Sequence, residues 1–209
     1  MSTDSRQLRA TAFHEAGHAV AHFALGRRID RVSIISEDDT LGRVRGPVLP
    51  RSWDPSTSTG FDTLRELKAM EDAIVAALAG PNAEAKFRGR RNLLGARGDY
   101  ETVGWLLQQT CDGSDHVSRA YYAYVKALAH DLIETHWYLV EALALELLDR
   151  RSLNRARVHQ VLRREIKAHS PLLQRESSLR PTAAGWRQFA RTPARRAHHH
   201  PRGIPVDGL

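Results

Sequence analysis

Residues 11–26 read TAFHEAGHAVAHFALG, which sets His14, Glu15 and His18 in a His-Glu-any-any-His pattern. Four residues make about one turn of an α-helix. The imidazoles of His14 and His18 therefore leave one face with their Cβ atoms about 6 Å apart, within reach of a single ion held about 2.0 Å from each nitrogen. Glu15 lies on the flank of that face, where a carboxylate can take a proton from a water attacking a carbonyl and pass it to the leaving amine. Zinc suits such a pair. It makes hydroxide available near neutral pH and polarises a carbonyl, and a catalytic zinc site takes three protein ligands, so a third must come from downstream. His22 extends the same stripe, but at eight residues from His14 it stands about 12 Å further along the axis, too far to share the ion. The competing reading of the pentapeptide is three polar residues on a helix with no metal.

The motif needs a helix, and one is predicted from about Arg6 to Leu25. There is no proline, Phe13, Ala16, Gly17, Val20 and Ala24 recur at helical spacing, and Gly26 provides the stop. Ala16, Gly17, Ala19 and Ala21 keep this helix slim. A glycine between two candidate ligands costs about 1 kcal/mol of helix propensity relative to alanine and admits close approach of neighbouring structure. IDRVSII (29–35) alternates and is rich in β-branched residues, which predicts a strand, and EDDTLG turns the chain into a second short strand, GRVRGPV. Pro47, Pro50 and RSWDPSTSTG form a loop, and Phe61 to Ala79 a helix ended by Gly80-Pro81, with a short helical piece, NAEAKF, after it. RGRRNLLGARGD (88–99), with three glycines, reads as a loop delivering Asp99 to the start of a helix over Tyr100 to Gln109. From Val117 to Arg150 there is no helix breaker, and SLNRARVHQVLRREI reads as a capped final helix. Past Ala168, Pro, Arg, Ser and His dominate and periodicity ends. The expected fold class is mainly α (α+β): a helical domain over 1–167 with a small β-hairpin or short sheet after the first helix, then a disordered, basic tail over 168–209.

Composition narrows the options further. With 209 residues, 42% of them apolar, the chain can bury one sizeable core. Cys111 is the only cysteine, which rules out an intrachain disulfide and Cys-rich zinc modules and fits a reducing compartment. No nearby His or basic pair argues for a Cys111 thiolate nucleophile. No run of 18 apolar residues occurs, and MSTDSRQLRA lacks the order of a signal peptide; the expectation is a cytoplasmic chain without a membrane span. Of the net charge of +7, Pro171 to Leu209 carries +5, from seven Arg against Glu176 and Asp207. Trp105, Trp137, Tyr121, Tyr122 and Tyr124 fall at helical spacings and read as core or partner surface.

ATAFHEAGHAVAHFAL followed by IDRVSIISEDDTLGRV resembles the opening of the peptidase domain of the FtsH family of AAA-linked zinc proteases. MEDAIVAALAGPNAEAKFRG is similar to that family's helix ending in a Gly-Arg-Ala-Ala-Glu-Glu-like turn. LLGARGDYETV is similar to its Gly-Ala-any-Asn-Asp signature, and VEALALELLDRRSLNRARVHQVL to its closing helices. The likeness runs in order over about residues 8–165. It implies a zinc endopeptidase acting on polypeptide, with Zn2+ held by His14, His18 and Asp99 and with Glu15 as general base. The residues themselves leave Asp99 a second role, as N-cap of its helix, and leave Glu84 and Glu71 as rival ligands on later helical segments.

Two departures stand out. The relatives carry an ATPase module and membrane segments ahead of the peptidase domain, whereas here the metal motif begins at residue 14 and no GxxxxGK[ST] phosphate loop occurs. Gly98 also stands where the family signature has Asn. The expectation is a stand-alone peptidase working on unfolded or flexible segments or borrowing an ATPase in trans, with the relatives' homo-oligomer as a further implied partner. If GRVRGPV is an exposed edge strand, an extended peptide can add to it through main-chain hydrogen bonds. The reading from a different class is a catalytically silent helical binding module whose Arg-rich tail, with Trp186 and Phe189 interleaved among Arg187 and Arg191, contacts nucleic acid or an acidic protein. His198, His199 and His200 are a loose metal-binding run in their own right.

Overall fold

The structure is a computed structural model that describes residues 3–35, 43–45, 64–111 and 113–179. The protein is mainly helical, with one small antiparallel sheet. In chain order the elements are α1 (Thr3–Ala24), β1 (Arg31–Ser33), β2 (Arg43–Arg45), α2 (Leu64–Arg88), α3 (Arg97–Thr110), α4 (Asp115–Thr135), α5 (Trp137–Arg150), β3 (Ser152–Asn154) and α6 (Arg155–Leu179). The chain divides into two compact units, Met1–Ala168 and His169–Leu209; the described part of the second, residues 169–179, is helical. The site lies wholly in the first.

α1 ends as its sequence predicts. Gly26 takes a left-handed φ of +67°, the Arg27 amide donates to the His22 carbonyl at 2.8 Å and the Gly26 amide to that of Phe23 at 3.1 Å, the paired bonds of a Schellman stop. The chain then enters β1, the middle strand of the order β2-β1-β3, with Val32 opposite Val44 on one side and Leu153 on the other. Two apolar clusters hold the unit together. One joins α1, β1, β3, α5 and the start of α6 to the small residues Ala76, Ala79 and Ala83 of α2; Phe13 stacks between Phe87 and Trp137 at its rim. The other packs Met70, Ile74 and Leu78 of α2 against Val103 and Leu106 of α3 and Val125 and Ala129 of α4. α2 thus belongs to both, and around Gly17 the side chains it turns toward α1 are alanines, with Glu84, Phe87 and Arg88 meeting α1 further along. Gly17 belongs to the same contact: a Cβ there would lie 2.6 Å from the Ala83 Cβ and 2.7 Å from the Ala79 oxygen, so only glycine lets the backbones come this near.

Five local expectations are corrected. α2 does not stop at Gly80-Pro81 but runs on to Arg88, making NAEAKF its last turns rather than a separate piece. Pro81 leaves the Ala77 carbonyl without its helical donor, yet the helix continues, with Ala79, Gly80 and Ala83 packed against α1 and Pro81 itself buried. α3 begins at Arg97, not Tyr100, which puts Asp99 inside its first turn. The stretch without breakers divides at His136, whose Nδ1 turns back to donate to the Leu132 carbonyl at 2.9 Å. Ser152–Asn154 is a strand rather than the start of the last helix; α6 is capped by Asn154, whose Oδ1 accepts from the Arg157 amide at 3.0 Å. α6 then continues past Ala168 to Leu179. The predicted loop over 47–60, the outer ends of GRVRGPV, Trp186, Phe189, Arg187, Arg191 and the histidine run at 198–200 lie outside the described residues. No helix among the described residues is long and apolar enough to cross a membrane.

Candidate metal centre

His14 and His18 leave α1 toward the N-terminal turn of α3, where Asp99 meets them. Asp99 Oδ2 lies 3.1 Å from His14 Nε2, Oδ1 lies 3.2 Å from His18 Nε2, and the two Nε2 atoms are 3.1 Å apart. Among the described residues these three are the group of His, Cys, Asp or Glu side chains able to hold one ion. Ligands bonded to zinc at about 2.0 Å in tetrahedral directions stand about 3.3 Å from one another, and the observed separations are of that size, with a different Asp99 oxygen facing each ring. Burial is deep but not complete: the side chains of His14 and His18 are 11% and 13% exposed and that of Asp99 22%, which leaves the cluster open on the carboxylate side.

Partners on the far side of each ring decide which nitrogen faces the cluster. His18 Nδ1 donates to the Ala76 carbonyl at 2.8 Å, an acceptor only, so the neutral ring carries its proton there and keeps the Nε2 lone pair for a metal. His14 Nδ1 makes the same commitment to Glu84 Oε2 at 3.0 Å. Glu84 is in turn fixed through its other oxygen, which accepts from Arg88 Nε at 2.6 Å and Asn92 Nδ2 at 2.9 Å, while Arg88 Nη2 reaches Gln7 Oε1 at 2.6 Å. This is the outer arrangement of a ligated histidine, a carboxylate or carbonyl behind each ring. Gly80 is part of it, because a Cβ at that position would fall inside the His18 ring's van der Waals envelope.

The electrostatics favour positive charge at the point of convergence. Burial pulls the His14 pKa down, but hydrogen bonds to Asp99 and Glu84 and the charges of Asp99 and Glu15 outweigh it and lift the pKa to about 10. His18 is raised too, against its burial, chiefly by the charge of Asp99 and the hydrogen bond to it. Asp99, which burial alone would raise, is held well below the carboxylate range by the His18 charge and by hydrogen bonds from both rings. Glu84 is lowered for the matching reason, by His14, Asn92 and Arg88 against its burial. A field that keeps protons on two imidazoles favours a dication in their place.

The structure therefore brings together His14, His18 and Asp99, with Glu15 buried next to them on α1. Asp99 is not the N-cap: that position is Ala96, and no side chain caps the helix. Glu84 lies behind His14 instead of facing the metal position, and Glu71 approaches Lys68 at 3.4 Å. His22 is outside the cluster. Sequence reasoning left Glu84 either a rival ligand or a structural residue and did not place it behind His14, although a carboxylate behind a ligating His is a general need and Glu84 with Arg88 has helical i, i+4 spacing; the Ala76 carbonyl leaves no trace in a sequence. Cys111 is buried and free. Compared with models of known protein families and with curated proteins, the chain matches none.

Proposed function

We propose that this chain is a zinc-dependent metalloendopeptidase, similar in its site to the peptidase domain of the FtsH family, that hydrolyses peptide bonds in unfolded or flexible segments. The observation that carries the reading is the pair of outer hydrogen bonds, His14 Nδ1 to Glu84 and His18 Nδ1 to Ala76, which turn both Nε2 atoms onto Asp99. His14, His18 and Asp99 would hold the zinc. When bound, the ion supplies hydroxide near neutral pH and polarises the scissile carbonyl. Glu15 takes the proton of the attacking water and delivers it to the leaving nitrogen. β2, at the edge of the described sheet and near α1, offers main-chain donors and acceptors to an extended substrate, which needs no particular side chain to align there.

Metal content tests this directly, on the full chain with His198, His199 and His200 changed to Ala so that the run supplies no second site. About one zinc per chain is expected in that background, and close to none after Asp99→Ala. Glu15→Gln is expected to keep its zinc and to lose at least about 100-fold in casein cleavage, the usual contribution of a general base. A folded chain that takes up no zinc moves the assignment to a binding module.

A further inference from the structure

Asn92 sits on the loop between α2 and α3, seven residues before the third candidate ligand, and its amide faces two ways. Its Nδ2 donates to Glu84 Oε1 at 2.9 Å, and its Oδ1 accepts from the Gly95 amide at 3.2 Å. The Asn92 carbonyl also accepts from the Ala96 amide at 3.1 Å, closing the turn from which α3 starts. Glu84 is the carboxylate whose other oxygen orients His14. One side chain therefore ties the turn that launches Asp99 to the group that aims His14.

Around it the sequence is adapted to this contact. α3 is packed by Val103 and Leu106 against α2 and α4 but has no side-chain cap, so its first turn is continued directly from the turn that Asn92 closes. A Cβ at Gly95 would lie 2.9 Å from the Asn92 Cγ and closer still to its Nδ2, so a side chain there requires the Asn92 amide to move from its present position. Leu93 and Leu94 between them are 64% and 90% exposed and do not anchor the loop, whereas Ala96, at its junction with α3, is buried. Burial of Ala96 and the backbone bonds of the turn fix its end at α3, and the Asn92 side chain is the polar clip that joins the turn to Glu84.

We propose that Asn92 is a positioning residue that sets the third metal ligand against the first, so that His14 and Asp99 are pre-arranged for the ion. This rests on the zinc-site reading above. Loss of the amide leaves Glu84 with Arg88 and His14 still in place, so the first two ligands keep their aim while Asp99 samples positions off the metal point. Asn92→Asp sets a second negative charge against Glu84 and should do worse than Asn92→Ala.

Zinc affinity, read by competition with a chromophoric chelator, tests the proposal on the full chain lacking the histidines at 198–200. A drop of 10- to 100-fold is expected for Asn92→Ala, the range for groups that orient metal ligands, and Gly95→Ala should reproduce it. Urea unfolding of the metal-free chains separates this from a general loss of structure: the metal-free midpoint should move little for Asn92→Ala while affinity falls. The d–d spectrum of bound cobalt(II) should change in the same variants, because the carboxylate no longer meets the ion in one geometry. Affinity within twofold of the parent, with Glu84→Gln clearly weakened, overturns the role of Asn92 alone. A parent chain that binds no zinc overturns the metal site and this inference with it.

Discussion

Gly17 and Gly104 are both glycines within helices, and their surroundings give the same substitution opposite signs. At Gly104 nothing lies within 4 Å of an added Cβ, so Gly104→Ala should stabilise α3 by about 0.5–1 kcal/mol through helix propensity and a less flexible unfolded chain. At Gly17 the same gain meets a contact that cannot yield, since one neighbour is the Ala79 carbonyl and the other a Cβ rooted on the α2 backbone. Overpacking of this kind costs about 1–3 kcal/mol, so Gly17→Ala should be destabilising on balance. It should also weaken zinc binding, because pushing α1 from α2 lengthens the His18 to Ala76 bond. Urea unfolding of both variants beside the parent checks the contrast; equal stabilisation by the two alanines would mean that the helices adapt without strain.

Among the elements, α1, β1 and the approach of Asp99 were legible because each depends on local pattern: a helical motif, β-branched alternation, and a glycine-rich loop before a helix. The misreadings have physical reasons. Gly80-Pro81 is a local stop signal that tertiary burial against α1 overrides, and the same glycine makes room for His18. β3 is three residues long, too short to show periodicity, and exists because β1 offers it a partner. The division at His136 has no Gly or Pro to announce it. Of the candidate site, the helical spacing that puts His14 and His18 on one face was readable, but the bonds behind the rings join residues 58 and 70 apart and so belong to packing. The edge strand can be tested at this level. Val44→Pro removes a main-chain donor from β2 and should reduce casein cleavage severalfold while zinc content stays near one per chain. Unchanged cleavage would show that substrate does not align along β2.

Folding of the whole chain shelters a histidine that takes no part in the cluster, and this should appear in the pH dependence of stability. The His22 Nδ1 is buried without a hydrogen-bond partner, and burial, followed by the charges of Arg27 and His18, lowers its pKa from 6.5 to about 4. Between those values the unfolded chain binds the proton and the folded chain does not, so stability rises with pH across that window. The contribution is fully present above pH 6.5 and is lost progressively as pH falls through 6.5 toward 4, amounting to at most about 3 kcal/mol. Other groups titrate in the same range, so the useful quantity is a difference between two chains. His22→Gln does not titrate there, and in urea unfolding with a chelator present it should gain on the parent by up to about 3 kcal/mol between pH 7 and pH 4. Ligand protonation is common to both chains and cancels to first order. A difference that stays constant over that interval would show that water reaches His22 in the folded chain and that its burial does not move its titration.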